Sequence, residues 1–303
     1  MVTGDVEEAP AMTERATSLV YHAGALGDFI TTIPAFHAWR RARPGDRIVL
    51  LGSPALATLA LPGLFDDAWD ARSRRFAPLF SAEGPGPRGI DGLQWVRSAL
   101  LFASSSSPIG HHLFAMGVSP IVRQDPFPSD PVPIVDYHLS LFAGVEIPAA
   151  ERIPRVRVDR ARPPRDIVAL HAGSGGKAKR WPRERFMELA DVLRHEGHAV
   201  AWIQGPAEEG EPAPAGAEVW RNLDLADLAA ALAGCRLYVG NDCGVTHLAA
   251  ACRCPTVALF GPSDWRVWAP RGPTVKLLVD DRGRMEGISE NDVLREVRSL
   301  LGG

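Results

Sequence analysis

The chain has 303 residues, 46% hydrophobic and 23% charged, which is the profile of a globular protein long enough for two domains. A formal net charge of −3 argues against a nucleic-acid partner, which would favour a basic surplus. No apolar run approaches the ~20 residues needed to cross a bilayer.

Residues 1–17 are acidic at the start, lack the basic and apolar blocks of a secretory signal, and are expected to form a flexible tail. The four cysteines do not make a disulfide framework and lack zinc-like spacing, so reduced thiols and a cytoplasmic location are expected. Residues 18–22 read as a short apolar strand that runs into the turn Gly24-Ala25-Leu26-Gly27 and a helix over 28–43. Asp28 stands where an N-cap or first-turn acid belongs, Pro34 is expected to kink the helix, and Pro44-Gly45 end it. A second strand at 47–51 and a short helix at 54–61 complete a β-α-β unit.

From 72 to 133 the periodicity loosens among clustered Pro, Gly and Ser. A helix over about 92–103 and a strand over about 120–122 are predicted there, with the serine run 104–107 a loop. A helix over 134–144 leads to 151–165, a Pro- and Arg-rich linker. The expected division is thus an N-terminal domain over 18–150 and a C-terminal domain over 166–303. In the second, strands at 166–171, 198–204, 218–221, 236–239, 256–260 and 274–279 alternate with helices at 182–197, 224–233, 244–252 and 289–301, the pattern of a doubly wound α/β domain.

Ligands of such sheets collect where strand ends lead into helices. In the loop 171–182, Gly173 and its neighbouring glycines let backbone N–H groups approach an anion, Ser174 adds a hydroxyl, and Lys177, Lys179 and Arg180 add charge. Only three lysines occur in the chain, and two of them lie here. The loop departs from the phosphate-binding GxxxxGK[ST] pattern, and a diphosphate site competes with a solvated turn. In the loop 240–248, Asp242, Gly244, Thr246 and His247 surround a helix start; a plain Asp242 N-cap with a packed His247 is the simpler alternative. Glu208, after Gly205-Pro206-Ala207, is placed to meet a ribose. Arg72, Arg74 and Arg75 beside Trp69 and Phe76 form either an acidic-acceptor contact or a solvated basic turn.

These segments together resemble glycosyltransferase family 9, the ADP-heptose:lipopolysaccharide heptosyltransferase-like proteins. The resemblance lies in the turn 24–28 followed by Thr31-Thr32-Ile33-Pro34-Ala35, the loop 171–182, residues 205–208, residues 240–250, and Pro255 to Asp264. It implies a GT-B fold, two Rossmann-like domains facing across a cleft, with the nucleotide-sugar held by the C-terminal domain and the acceptor by the N-terminal one. It implies inverting, metal-independent transfer with no cofactor, and the chain has no Asp-x-Asp triplet. Carried onto this sequence, Asp28 matches the catalytic base and Lys179 the cation on the leaving diphosphate. Gly244 and Thr246 match phosphate contacts, Asp242 and His247 donor contacts, and Glu208 a position near the nucleoside. Gly24 and Gly27 fall on the acceptor side. A helix N-terminus is expected to lower the pKa of Asp28, with cleft closure offsetting this by desolvation.

The implied substrates are a nucleotide-sugar, ADP-heptose favoured, and a lipopolysaccharide-core or other surface glycan. A lipid-linked acceptor implies transient contact with the inner membrane surface. His22 stands where the family has arginine and Cys243 where it has Ser or Thr. These departures favour the alternative of a non-catalytic nucleotide-sugar or glycan-binding protein on the same fold; a nucleotide-sugar epimerase is a third reading.

Overall fold

The computed structural model describes residues 15–86, 88–158 and 163–302. Most of the expected tail therefore lies outside the described residues, and Thr17 already opens the first strand.

Two all-parallel sheets organise the chain. The first is built from β1 (Thr17–His22), β2 (Arg47–Gly52), β3 (Asp67–Asp70), β4 (Val96–Phe102) and β5 (Ile121–Gln124), in the order β3-β2-β1-β4-β5. Helices α1 (Leu26–Ala42), α2 (Pro54–Ala57), α3 (Ile109–Ala115) and α4 (Ile134–Leu139) accompany it. The second sheet contains β6 (Arg165–His171), β7 (Ala199–Gln204), β8 (Glu218–Arg221), β9 (Cys235–Asn241), β10 (Thr256–Phe260) and β11 (Val275–Val279), in the order β11-β10-β9-β6-β7-β8. Its helices are α5 (Arg183–His195), α6 (Leu225–Ala233), α7 (Gly244–Ala251), α8 (Trp265–Trp268) and α9 (Glu290–Leu301). Strand order reverses between β1 and β4 in one sheet and between β6 and β9 in the other, and such switch points open ligand crevices at the strands' carboxyl ends.

The second sheet follows the sequence pattern closely because its helices carry explicit start signals. Asp224 caps α6 by accepting from the Asp227 N–H, and Ser289 caps α9 by accepting from the Asp292 N–H. In the first sheet the predicted helix over 92–103 is a strand instead. β4 pairs in parallel with β1 and β5, and its residues pack alternately into two apolar clusters, Leu100 and Phe102 into one and Ala99 and Leu101 into the other, so it is buried on both faces. A doubly covered strand is a continuous apolar run and loses the alternation that marks half-buried strands. Helix α3 and strand β3, two further elements of this half, also lack a sequence signal of their own. The helix expected over 134–144 is α4 followed by a 3-10 turn, Ser140–Phe142.

The segment expected as a linker over 151–165 is docked onto both halves over its described part. The Val156 N–H donates to the Ala251 carbonyl and the Arg157 N–H to the Leu59 carbonyl, while the Val156 side chain is buried. One apolar cluster runs through the junction, from Phe29, Ile33 and Phe36 of α1 to Leu248 and Ala249 of α7. The two helices come close at their starts. A Cβ on Gly244 would lie 2.9 Å from Leu26 Cβ and 3.0 Å from the Gly27 nitrogen. Only a residue without a side chain permits that contact. Among the described residues, no helix is long and apolar enough to cross a membrane.

Gly244→Ala should therefore push α1 and α7 apart at a cost of about 1–3 kcal/mol, the usual penalty for overpacking. Thermal unfolding should register this as a fall of several degrees; an unchanged midpoint would show that the junction yields freely.

Candidate active site

The contact of α1 with α7 sets the geometry of two adjoining cavities. The first, of about 460 Å³, lies between the sheets and is lined by Gly27, Asp28, Ser174, Lys179, Asp242, Cys243, Gly244 and His247, with Phe127 and Trp268 at its side. The second, of about 260 Å³, sits on the first sheet at its switch point and is lined by His22, Gly24, Asp28, Thr32, Phe102, Ser104, Ser107 and His138 among others. Asp28 borders both.

Asp28 occupies the third position of α1 and not its N-cap, which is Ala25; its Oδ2 accepts the Ala25 N–H at 3.0 Å. The hydroxyls of Thr31 and Thr32 donate to the Asp28 carbonyl at 3.0 and 2.7 Å, bracing that turn. Gly24 is obligatory here, since a Cβ on it would lie 2.8 Å from Asp28 Cβ. The expectation that the helix start lowers the Asp28 pKa is overturned: burial raises it, outweighing the Ala25 N–H and the Lys179 charge, which act the other way. No closure is needed for that desolvation.

Opposite Asp28, Lys179 Nζ donates to Asp242 Oδ2 at 2.8 Å. Lys179 stays partly exposed in the cavity, whereas Asp242 is buried. The Asn241 amide fixes the loops that carry these groups. Its Oδ1 accepts the Trp181 N–H and its Nδ2 donates to the Ala172 carbonyl, tying the end of β9 to the loop after β6. Ser174 Oγ adds a bond to the Asp242 carbonyl at 2.9 Å, so the cavity receives a hydroxyl already committed to the backbone. His247 packs beside Gly27, and burial lowers its pKa to about 4, leaving a neutral ring.

Several sequence-selected residues stand away from the cavity. Arg180 points back into its own loop and donates twice to the Ser174 carbonyl. Lys177 is exposed and outside the cavity lining. Thr246 is buried, bonded to the Asn241 carbonyl and the Tyr238 hydroxyl. Gly173 passes against Glu208, which is buried beneath the loop, accepts the Gly205 N–H at 3.0 Å and faces His171. None of these five lines either cavity. Arg72, Arg74 and Arg75 follow the outer strand β3 and also line neither cavity. Arg75 lies over the Trp69 and Phe76 rings and donates to the Asp91 carbonyl, and Arg72 pairs with Asp70. Gly27, assigned to the acceptor side, lines the cavity between the sheets, while Gly24 lines the other.

The sequence reading missed Phe127 and Trp268, whose rings meet edge to face at 5.8 Å, one from each half of the chain. Phe127 lies in the proline-rich stretch, where no periodicity marks it. It also missed His138, whose Nδ1 lies 3.0 Å from Gln124 Oε1. Among the described residues, no cluster of three or more His, Cys, Asp or Glu side chains is placed to hold a metal ion.

Residues 146–297, half of the chain, match the family described as glycosyltransferase family 9 (heptosyltransferase). The chain belongs to glycosyltransferase family 9. It is 41% identical over 104 residues to lipopolysaccharide heptosyltransferase 1 of Pseudomonas aeruginosa, an alignment that spans 32% of this chain and 29% of that relative. Among solved structures, glycosyl transferase family 9 from Veillonella parvula superposes with a TM-score of 0.73 at 18% identity, covering 96% of this chain and 98% of the other. E. coli heptosyltransferase WaaC with ADP superposes with a TM-score of 0.68 at 18% identity, covering 94% and 99%. The two-sheet architecture is the GT-B fold of these family 9 structures.

Three buried histidines around the cavities make stability depend on pH. Burial lowers His22 to about 4, His138 to about 3 and His247 to about 4. Unfolded, each titrates near ~6.5, so below that pH the unfolded chain binds more protons and folding weakens as pH falls. Each site contributes a loss of about 2 kcal/mol between about pH 7 and pH 5. Urea unfolding of His138→Gln should show a smaller loss over that interval than the wild type; equal losses would refute a neutral buried His138.

Proposed function

We propose that this chain is an inverting, metal-independent glycosyltransferase that moves heptose from ADP-heptose to a lipopolysaccharide-core or related glycan acceptor. One observation carries the reading: Asp28 borders both cavities and faces Lys179 across the larger one. A sugar donor in the cavity between the sheets and an acceptor hydroxyl in the cavity of the first sheet would meet at its carboxylate. In this scheme Asp28 takes the acceptor proton as the oxygen attacks the anomeric carbon, on the face opposite the departing diphosphate. Its raised pKa brings the base closer to neutrality and improves the match to that task.

Lys179, the Ser174 loop and the free N–H groups at the start of α7 would hold the diphosphate, the charge stabilisation that a metal supplies elsewhere. A diphosphate reaching Lys179 would compete with Asp242 for its ammonium. The nucleotide choice is supported by the relatives, since the E. coli structure contains ADP and the Pseudomonas relative is named a lipopolysaccharide heptosyltransferase. Glu208, Arg180 and Thr246 then act by holding the loops and not by touching the donor. We place the enzyme in the cytoplasm, meeting a lipid-linked acceptor at the inner membrane surface.

Asp28→Asn should lower kcat by at least about 100-fold while leaving donor binding intact. A folded, donor-binding variant with near-normal turnover would remove Asp28 as the base. Thermal unfolding with ADP, UDP, GDP or CMP, with EDTA present, tests the donor side. Saturation at about 100 times Kd adds roughly 2.7 kcal/mol, a shift of several degrees. The shift is expected with ADP alone. A shift with another nucleotide would discard ADP-heptose, one that disappears with EDTA would discard metal independence, and no shift at all would favour a chain that does not use nucleotide-sugars.

A further inference from the structure

Cys243 is the N-cap residue of α7 and differs from the other cysteines in its surroundings. Cys235, Cys252 and Cys254 are buried, and burial pushes the Cys252 thiol up to about 12. Cys243 is partly exposed and lines the cavity between the sheets. Its Sγ lies 3.4 Å from His171 Nδ1, and His171 Nε2 lies 3.9 Å from Glu208 Oε2. His171 and Glu208 are both more than nine-tenths buried and are supplied by different segments, the end of β6 and the turn Pro206–Glu208. Thr246 Oγ1 also lies 3.4 Å from the sulfur. A thiol beside an imidazole, with a carboxylate at ion-pair distance from the ring, is an arrangement that favours the thiolate and so activates a sulfur nucleophile.

We propose that Cys243, His171 and Glu208 form a reactive-thiol modification site opening into the cavity, whose substrates are small hydroperoxides and soft carbon electrophiles. Burial alone would raise the thiol, but the His171 charge, its contact with the sulfur and the Thr246 contacts together outweigh it and draw Cys243 below its ordinary value. Burial likewise opposes charge on His171, yet Cys243 and Glu208 hold the ring protonated beyond its ordinary range. With hydrogen peroxide, the thiolate sulfur attacks one peroxide oxygen and the O–O bond breaks. Sulfur is oxidised by two electrons to the sulfenic acid, and the departing hydroxide, reduced, takes the His171 proton to leave as water. The sulfur that takes up this oxygen belongs to the N-cap residue of α7, next to Gly244. Neither this chemistry nor its test depends on the identity of the sugar donor.

The test is brief exposure of the full chain to iodoacetamide at about pH 6, where a thiol of ordinary pKa ~8.5 is under about 1% ionised, followed by peptide mass spectrometry. Cys243 should be alkylated at least about tenfold faster than free cysteine in the same solution, with the three buried cysteines unmodified. Under hydrogen peroxide with dimedone, Cys243 should carry the sulfenic acid adduct, and Cys243→Ser should carry none. His171→Gln should slow alkylation about tenfold. A wild-type rate no greater than that of free cysteine would overturn the proposal, whether or not His171→Gln folds. So would an unchanged rate in a folded His171→Gln.

Discussion

Two helix starts, one from each sheet, meet backbone to backbone at Gly27 and Gly244, and the arrangement of the rest follows from that contact. The first turn of α1 carries Asp28, and the loop before α7 carries Asp242 and Cys243. Because no side chain separates the two turns, groups from opposite halves of the chain line a single cavity. The apolar cluster behind the contact, from Phe36 to Leu248, holds the halves at that spacing. A larger residue at Gly244 would enlarge the gap across which Asp28 and Lys179 face one another, whatever it did to either sheet.

Desolvation dominates the chemistry of the cavities, and it acts in opposite senses on acids and bases. It raises the carboxyl of Asp28 against a helix start and a nearby lysine, and it lowers His22, His138 and His247 to neutral rings. The exception is the buried His171 ring with the partly exposed Cys243 thiol, whose contacts with each other, with Glu208 and with Thr246 favour their charged forms more than burial opposes them. Opposite outcomes thus arise within one shell of residues, according to whether the contacts that favour charge on a group exceed the cost of burying it.

Much of this was legible in the sequence where local signals are strong. Asp224 and Ser289 announce their helices by capping, and the strand at 256–260 is observed with those bounds. Lys179, Asp242 and Gly244 lie in glycine-rich turns at strand ends that mark a ligand loop, whereas Asp28 reads locally as a helix-capping acid and is singled out only by the family resemblance. The strand β4 was misread because burial on both faces erases its period. The roles of Arg180 and Glu208 depend on direction: a basic or acidic residue beside a glycine loop can face the ligand or brace the loop. These two brace it, through the Ser174 carbonyl and the Gly205 N–H. Phe127 reaches the site only through tertiary packing against Trp268, which no spacing rule encodes.

The ion pair of Lys179 with Asp242 has a further consequence for how a ligand arrives. Among the side chains lining the cavity, Asp28, Asp242 and the Cys243 sulfur face a single Lys179 ammonium, and the His247 ring is neutral, so the cavity presents no excess of positive charge. Such a site exerts no long-range pull on a phosphorylated molecule, and attraction begins only within reach of the α7 amides and the Lys179 ammonium. Capture of an anionic ligand here should depend weakly on ionic strength, with selection resting on contact and not on steering.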